Sequence, residues 1–127
     1  MKFLDGYTEH SYALLRIVAG LLFMAHGVHK FFGFPISFEN PLNPMMYVAG
    51  GIELIGGAAI ALGLFTRPVA FIASGMAAAG YWMVHGSAGF FPIANGGETI
   101  ALYCFIFLFI AVRGAGIWSV DSKLAAN

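Results

Sequence analysis

Seven ionisable side chains stand inside or at the rims of long apolar stretches of this 127-residue chain: Arg16, His26, His29, Lys30, Glu53, His85 and Glu98. An ionisable group in hydrocarbon costs at least ~2.5 kcal/mol, so such residues pair, face a polar cavity or carry out chemistry. One chemistry that fits the residue types is proton-coupled redox beside a quinone head. That head needs hydrogen-bond donors to its carbonyls and a titratable group that exchanges protons with water. His26, Lys30, Tyr81 and His85 can donate, and Glu53 and Glu98 can carry protons. On this reading Glu53, Glu98 and His26 are the catalytic candidates. Arg16, Lys30, Tyr81 and His85 are the candidates for holding the ligand, with Arg16 keeping Glu53 ionised or anchoring a neighbouring helix.

Other uses of the same residues remain open at this level. His26, His85, Glu53 and Glu98 offer nitrogen and oxygen ligands that suit several divalent metals, but no HxxxH or ExxH spacing supports a metal site. Haem is open only because histidines are present. A purely structural account makes the set a charge clasp, with Arg16 or Lys30 neutralising Glu53 and Glu98 paired with a His or Lys, which fixes helix register without chemistry. A small transporter is a further reading, although four helices are few for a monomeric pore and Arg16 is nearly alone in the inner half.

The elements that must position these residues follow from composition. Hydrophobic residues make up 60% of the chain, charged residues 9%, and there are 17 glycines; a soluble domain carries about 25% charged residues. Four apolar stretches, at about 11–32, 45–64, 68–85 and 96–112, approach the ~20 residues that cross ~30 Å of hydrocarbon. The expected fold is therefore all-α, a single polytopic membrane domain built as a four-helix bundle. The first stretch follows a short polar head with no small-residue cleavage site after it, and reads as a retained helix. Lys2, Arg67, Arg113 and Lys123 fall on one side and only Lys30 on the other, which places both termini in the cytoplasm by the positive-inside rule. The net charge of zero gives no case for nucleic acid. Cys104 is the one cysteine, so no dithiol chemistry can be built within the chain.

Both outward connections are broken. Residues 33–44 contain three prolines, two of them in Asn-Pro pairs that favour turns, and residues 86–95 are similar. Phe31, Phe32, Phe34, Phe38, Phe90 and Phe91 lie in or beside them. Interfacial anchoring is the simpler account, and a hydrophobic lid over a lipid-accessible pocket the sharper one. At 100° per residue, Lys30 lies about 40° and His26 about 80° from the direction of Arg16, while His29 falls further round. Gly50 and Gly57 flank Glu53 at i−3 and i+4, a spacing that lets helices approach closely, and Gly75 and Ala79 repeat it on the third helix. Apart from Arg16, the polar set is expected to gather in the outer half.

In sequence order these pieces resemble the DoxX family of small four-helix membrane proteins. LLRIVAGLLFMAHGVHKFFG (Leu14–Gly33) carries Arg16, Gly20, His26, Gly27 and Lys30 in an R…G…HGxxK pattern. GGIELIGGAAIALGLFTRPVA (Gly50–Ala70) carries Glu53, Gly57, Gly63, Thr66 and Arg67, and NGGETIALYC (Asn95–Cys104) a Gly-then-Glu helix start. GAGIWSVD (Gly114–Asp121) resembles a closing GxGxxSxD, with Ala115 where members often have Pro. The resemblance implies a bacterial cytoplasmic (inner) membrane protein, similar to subunits of quinone-linked sulfur oxidation and of thiol-redox assemblies. Its implied partners are the bilayer, other protein subunits or further copies of itself, and a small lipophilic redox ligand. No motif for flavin, nicotinamide or iron–sulfur binding is present, so electrons would come from a partner or travel on the quinone. The alternative is a non-catalytic subunit that anchors a partner.

Overall fold

Helix boundaries in the computed structural model, which describes residues 1–126, follow local chemistry. Helix α1 spans Thr8–Phe32 and stops because Gly33 takes a left-handed conformation (φ 60°) and returns its N–H to His29 O, a role glycine fills without a Cβ clash. Helix α2 spans Pro44–Leu62. The Asn43 side chain accepts from Met46 N at 2.9 Å and Pro44 opens the first turn, both favoured there. Helix α3 runs as an α-helix over Thr66–Gly80 and on through a π-helical turn at Tyr81–His85. Helix α4 spans Glu98–Arg113 and the short α5 spans Val120–Ala125. Among the described residues there is no strand. Helices α1 and α2 are long and apolar enough to cross a membrane by length and composition.

The ends differ slightly from those read off hydropathy, for physical reasons. α1 begins three residues before the apolar run because Thr8, Glu9 and His10 form a polar first turn. α2 ends at Leu62 because Gly63 has a φ of 70°. α4 begins at Glu98 because Gly96 (φ 76°) and Gly97 form a turn.

Two antiparallel pairs make the bundle: α1 with α2, and α3 with α4. The first pair touches backbone to backbone. A Cβ on Gly57 would sit 2.4 Å from Met24 N, and one on Gly20 would sit 2.6 Å from Ala61 N. In lipid, where apolar burial gives no driving force, such close packing is what holds helices together. Gly75, by contrast, faces open space, so the Gly75–Ala79 spacing on α3 packs against nothing within the chain. The pairs meet around a core of Tyr12, Ala19, Phe23, Ile60, Ala70, Ala73, Phe107 and Ile110.

The end that holds the termini, here the basal end, is sealed by polar side chains on backbone. Arg16, fully buried, donates Nη1 to Ile60 O and Ala61 O at 3.1 Å each, and Nη2 to Ile117 O at 3.2 Å and Trp118 O at 2.7 Å. Its cation thus satisfies the carbonyl end of α2, where the helix dipole is negative. Asp121 accepts from the N–H groups of Phe65 and Thr66 at 2.9 Å each, which starts α3 directly after Phe65, whose φ is 47°. Burial would push the Asp121 carboxyl up, but the amide donors outweigh it and hold the carboxyl below its ordinary value. Arg67 donates to Val112 O at 2.6 Å, Arg113 pairs with Glu9, and the Tyr12 hydroxyl donates to Gly114 O.

Candidate functional site

At the distal end the two helix pairs diverge and leave a cavity of about 650 Å³. Its walls are mostly apolar and include four of the six methionines: Met45, Met46, Met76 and Met83. Charged and imidazole groups reach it from three helices, His26 and Lys30 from α1, Glu53 from α2 and His85 from α3, and α4 adds the hydroxyl residues Thr99 and Tyr103. A volume of this size, apolar with a few convergent polar groups, is the usual form of a small-molecule site.

Lys30 and Glu53 form an ion pair across the α1–α2 contact. Lys30 Nζ lies 2.6 Å from Glu53 Oε2 and 2.8 Å from Oε1, with side chains 17% and 10% exposed. The glycine contacts bring the two helices near enough for the pair to close. Glu53 stands in a π-helical turn at Ile52–Gly56, and the π-helical turn Tyr81–His85 ends on His85. Such turns rotate the residues beyond them relative to an ideal α-helix and frequently mark functional sites. Here both flank one cavity. His85 Nδ1 donates to Asn95 O at 3.0 Å. Because a carbonyl can only accept, Nδ1 holds the hydrogen and, in the neutral ring, Nε2 keeps the lone pair. The His26 ring meets Tyr103 edge to face, centroids 6.0 Å apart.

Four of the seven candidate residues therefore converge: His26, Lys30, Glu53 and His85. The other three do not. Arg16 was expected to hold the ligand and to keep Glu53 ionised; it is spent on four backbone carbonyls at the basal end, and Lys30 is the partner of Glu53. Glu98 was expected to relay protons; it is exposed at the start of α4 and is not among the cavity-lining residues, because Gly97 ends the preceding turn and releases it outward. Tyr81 was expected to donate to the ligand; its hydroxyl instead donates to Phe90 O at 3.0 Å and accepts from Asn95 Nδ2 at 3.0 Å. His29 packs edge-on against Phe38, centroids 5.2 Å apart. Of the loop aromatics, Phe38 lines the cavity, Phe31 stacks on Tyr47, and Phe32, Phe34, Phe90 and Phe91 are exposed.

Sequence reasoning passed over three residues. Tyr103 lines the cavity between His26 and Phe107; it lies on α4 one turn past Thr99, which lines the same wall. Asn95 is buried and organises the distal loop. The signal for it was the Asn-Gly-Gly that precedes α4. Asp121 closes GAGIWSVD and caps α3 from across the bundle. Among the described residues no group of three or more His, Cys, Asp or Glu could hold a metal ion.

A family model named DoxX matches residues 11–86, the stretch that holds all but the first three residues of α1 and the whole of α2 and α3. An uncharacterized protein of Haemophilus influenzae (strain ATCC 51907 / DSM 11121 / KW20 / Rd) is 43% identical over 130 aligned residues, covering 97% of each chain. A Bacillus subtilis (strain 168) protein provisionally named oxidoreductase CatD is 43% identical over 61 residues, 44% of this chain and 46% of its own. No solved structure matches the chain.

Proposed function

This chain is a membrane protein of the DoxX family, and on that premise we propose that it is a component of a redox system in the bacterial cytoplasmic membrane. It crosses the bilayer four times with both termini inside, and its distal cavity takes the head of a quinone or a similar small redox-active lipophile. The observation that carries this reading is the cavity itself: apolar walls around the Lys30–Glu53 pair, with His26 and His85 on the same surface. The provisional oxidoreductase name of the Bacillus subtilis relative agrees with it.

A quinone supplies the redox chemistry, taking up two electrons and two protons from a donor that a partner subunit provides. The chain's own residues bind and move protons. Lys30 has three N–H groups, of which Glu53 can occupy two, so one is left for a ligand oxygen. His26 and Tyr103 are donors on the adjoining wall. His85 presents Nε2 as a proton acceptor while Asn95 fixes its tautomer. Lys30 would hand a proton to a ligand oxygen that gains charge, and Glu53, 2.6 Å from Nζ, is the carboxyl through which Lys30 would be reprotonated. The basal half is packed solid around Ile60, Phe107 and Ile110 and is closed by Arg16, which leaves no through-path for a transporter.

Two measurements test the proposal. Protein extracted gently from its native membrane is examined by native mass spectrometry for a retained quinone. The purified chain in lipid nanodiscs is then titrated with ubiquinone-1. Lys30→Met and Glu53→Gln are expected to weaken binding at least ~10-fold, a loss of about 1.4 kcal/mol, while Glu98→Gln leaves it unchanged. A bare chain that travels only with a protein partner and ignores the quinone would replace this reading with the anchoring-subunit one.

A further inference from the structure

The segment between α3 and α4 has features that an ordinary surface loop lacks. Residues 86–97 (GSAGFFPIANGG) contain no Asp, Glu, Lys or Arg, yet Phe90, Phe91 and Ile93 are 71%, 67% and 83% exposed. Its backbone is served by side chains from within the protein. Asn95 Nδ2 donates to Gly89 O at 2.9 Å, and Asn95 Oδ1 accepts from Gly97 N at 2.8 Å. The Tyr81 hydroxyl donates to Phe90 O and His85 Nδ1 to Asn95 O, each at 3.0 Å. Asn95 and Tyr81 are themselves buried.

The other distal connection is built differently. Residues 33–43 carry Glu39, Asn40 and Asn43. Among the described residues, the one side-chain-to-backbone bond from this segment is the Asn43 cap on α2. Its peptide groups are arranged for water. Several of those of the 86–97 segment are instead bonded within the protein, by the Asn95, Tyr81 and His85 side chains and by the turn at Pro92–Asn95, which is what irregular backbone at membrane depth requires: no water is available there, so partners must come from the protein.

Length points the same way. α4 has 16 residues, about 24 Å at ~1.5 Å per residue, which falls short of ~30 Å of hydrocarbon. The apolar segment that precedes it supplies the missing depth.

We propose that residues 86–97 form a lipid-embedded wedge, a broken segment of two single helical turns (Gly86–Ala88 and Pro92–Asn95) and bends, that sits within the distal leaflet and turns Phe90, Phe91 and Ile93 toward the acyl chains. The Asn95–Tyr81–His85 network supplies partners there for four of its backbone groups: Gly89 O, Phe90 O, Asn95 O and Gly97 N. The wedge covers the α3–α4 side of the distal end, so the water-facing rim of the cavity is left to the Phe38–Asn40 side. This inference rests on the membrane reading of the bundle and is independent of which ligand the cavity takes.

The test uses single-cysteine variants in a Cys104→Ala background, reconstituted in liposomes. Phe91→Cys, Ile93→Cys and, as the reference on the same end of the bundle, Glu39→Cys are treated with a membrane-impermeant maleimide before and after detergent. The expected result is that Glu39→Cys in outward-facing copies labels readily, while Phe91→Cys and Ile93→Cys label at least ~10-fold more slowly until detergent is added. Labelling of Phe91→Cys and Ile93→Cys at the Glu39→Cys rate in intact liposomes overturns the proposal. A second reading needs no labelling: Phe91→Trp with Trp82 and Trp118 replaced by Phe, in lipids brominated along the acyl chain. Strong quenching by the brominated chains is expected, and none would refute the wedge.

Discussion

The Lys30–Glu53 pair can be tested both as a structural clasp and as a ligand-binding element. With side chains 17% and 10% exposed, the pair sits mostly out of water beside an apolar cavity. Removing one partner of a buried pair costs 3–5 kcal/mol because a charge is left uncompensated. The residual exposure favours the lower figure, about 3 kcal/mol for Lys30→Met or Glu53→Leu alone. For a chain of this length that corresponds to a fall in Tm of about 12 °C at roughly 4 °C per kcal/mol. Replacing both at once removes both charges, and apolar substitutes of similar volume restore stability to within about 1 kcal/mol of the native pair. Thermal unfolding of the four proteins in one detergent gives the cycle, and ubiquinone-1 titration of the same four gives binding. The expected pattern is stability lost in each single variant and recovered in the double, with binding lost in all three. Single variants that fall by less than about 1 kcal/mol would mean the pair is screened as at an open surface, and the low-dielectric cavity argument would fail. A double variant that binds quinone like the parent would remove Lys30 and Glu53 from the site.

Further expectations follow from the packing and the basal clasps. Gly57→Ala places a methyl 2.4 Å from Met24 N, a backbone atom that cannot give way, so it should cost about 1–3 kcal/mol and lower Tm measurably, whereas Gly51→Ala, which meets nothing within 4 Å, should not. Arg16→Met takes a donor from four carbonyls, of which Ile60 O keeps the Gly63 N–H, and should destabilise by about 3–5 kcal/mol at roughly 1–3 kcal/mol per carbonyl left unpaired. Arg16→Lys should recover little of this, since a point charge cannot span the fork of partners; thermal unfolding of both variants checks it. The Asp121 carboxyl titrates below its ordinary value, so its contribution is complete above the unfolded value of about 3.9 and is lost as pH falls through the lower folded value. Asp121→Asn should therefore lower Tm at pH 7 by the equivalent of about 1 kcal/mol and flatten the acid limb of Tm against pH below about pH 4.

The helices were legible because their signal is bulk composition. Apolar runs of near-spanning length, Gly33 and Gly63 at the helix ends, and Asn43-Pro44 at a start each act locally, and local chemistry sets the observed boundaries. The convergence of His26, Lys30, Glu53 and His85 was also legible, since depth along antiparallel helices follows from residue number. Arg16 was not. A helical wheel puts Arg16 on the arc of Lys30, but the carbonyls that it satisfies belong to the end of α2 and to a tail more than a hundred residues away, which no wheel places beside it. Glu98 and Tyr81 failed for a related reason. Each stands beside irregular backbone, where a π-helical turn or a glycine pair rotates the side chain away from the ideal-helix direction.

The contrast between the two ends explains how so short a chain can hold a cavity at all. Diverging helices in lipid lose mutual contact, and no hydrophobic force returns them. The divergence is sustained by fixing the opposite end: Arg16 ties α1 to α2 and the tail, Asp121 ties the tail to α3, and Arg67 ties α3 to α4. These three clasps join all four helices through backbone groups, which do not depend on side-chain packing elsewhere. The distal half is then free to carry small and flexible residues, Gly80 and four methionines among them, on its cavity walls. Methionine lacks branching and re-packs easily around varied shapes, so the rigidity of the site lies in the Lys30–Glu53 pair and the Asn95-oriented His85 while its apolar walls adapt. A cavity built this way discriminates by the polar head of its ligand and tolerates variation in the rest.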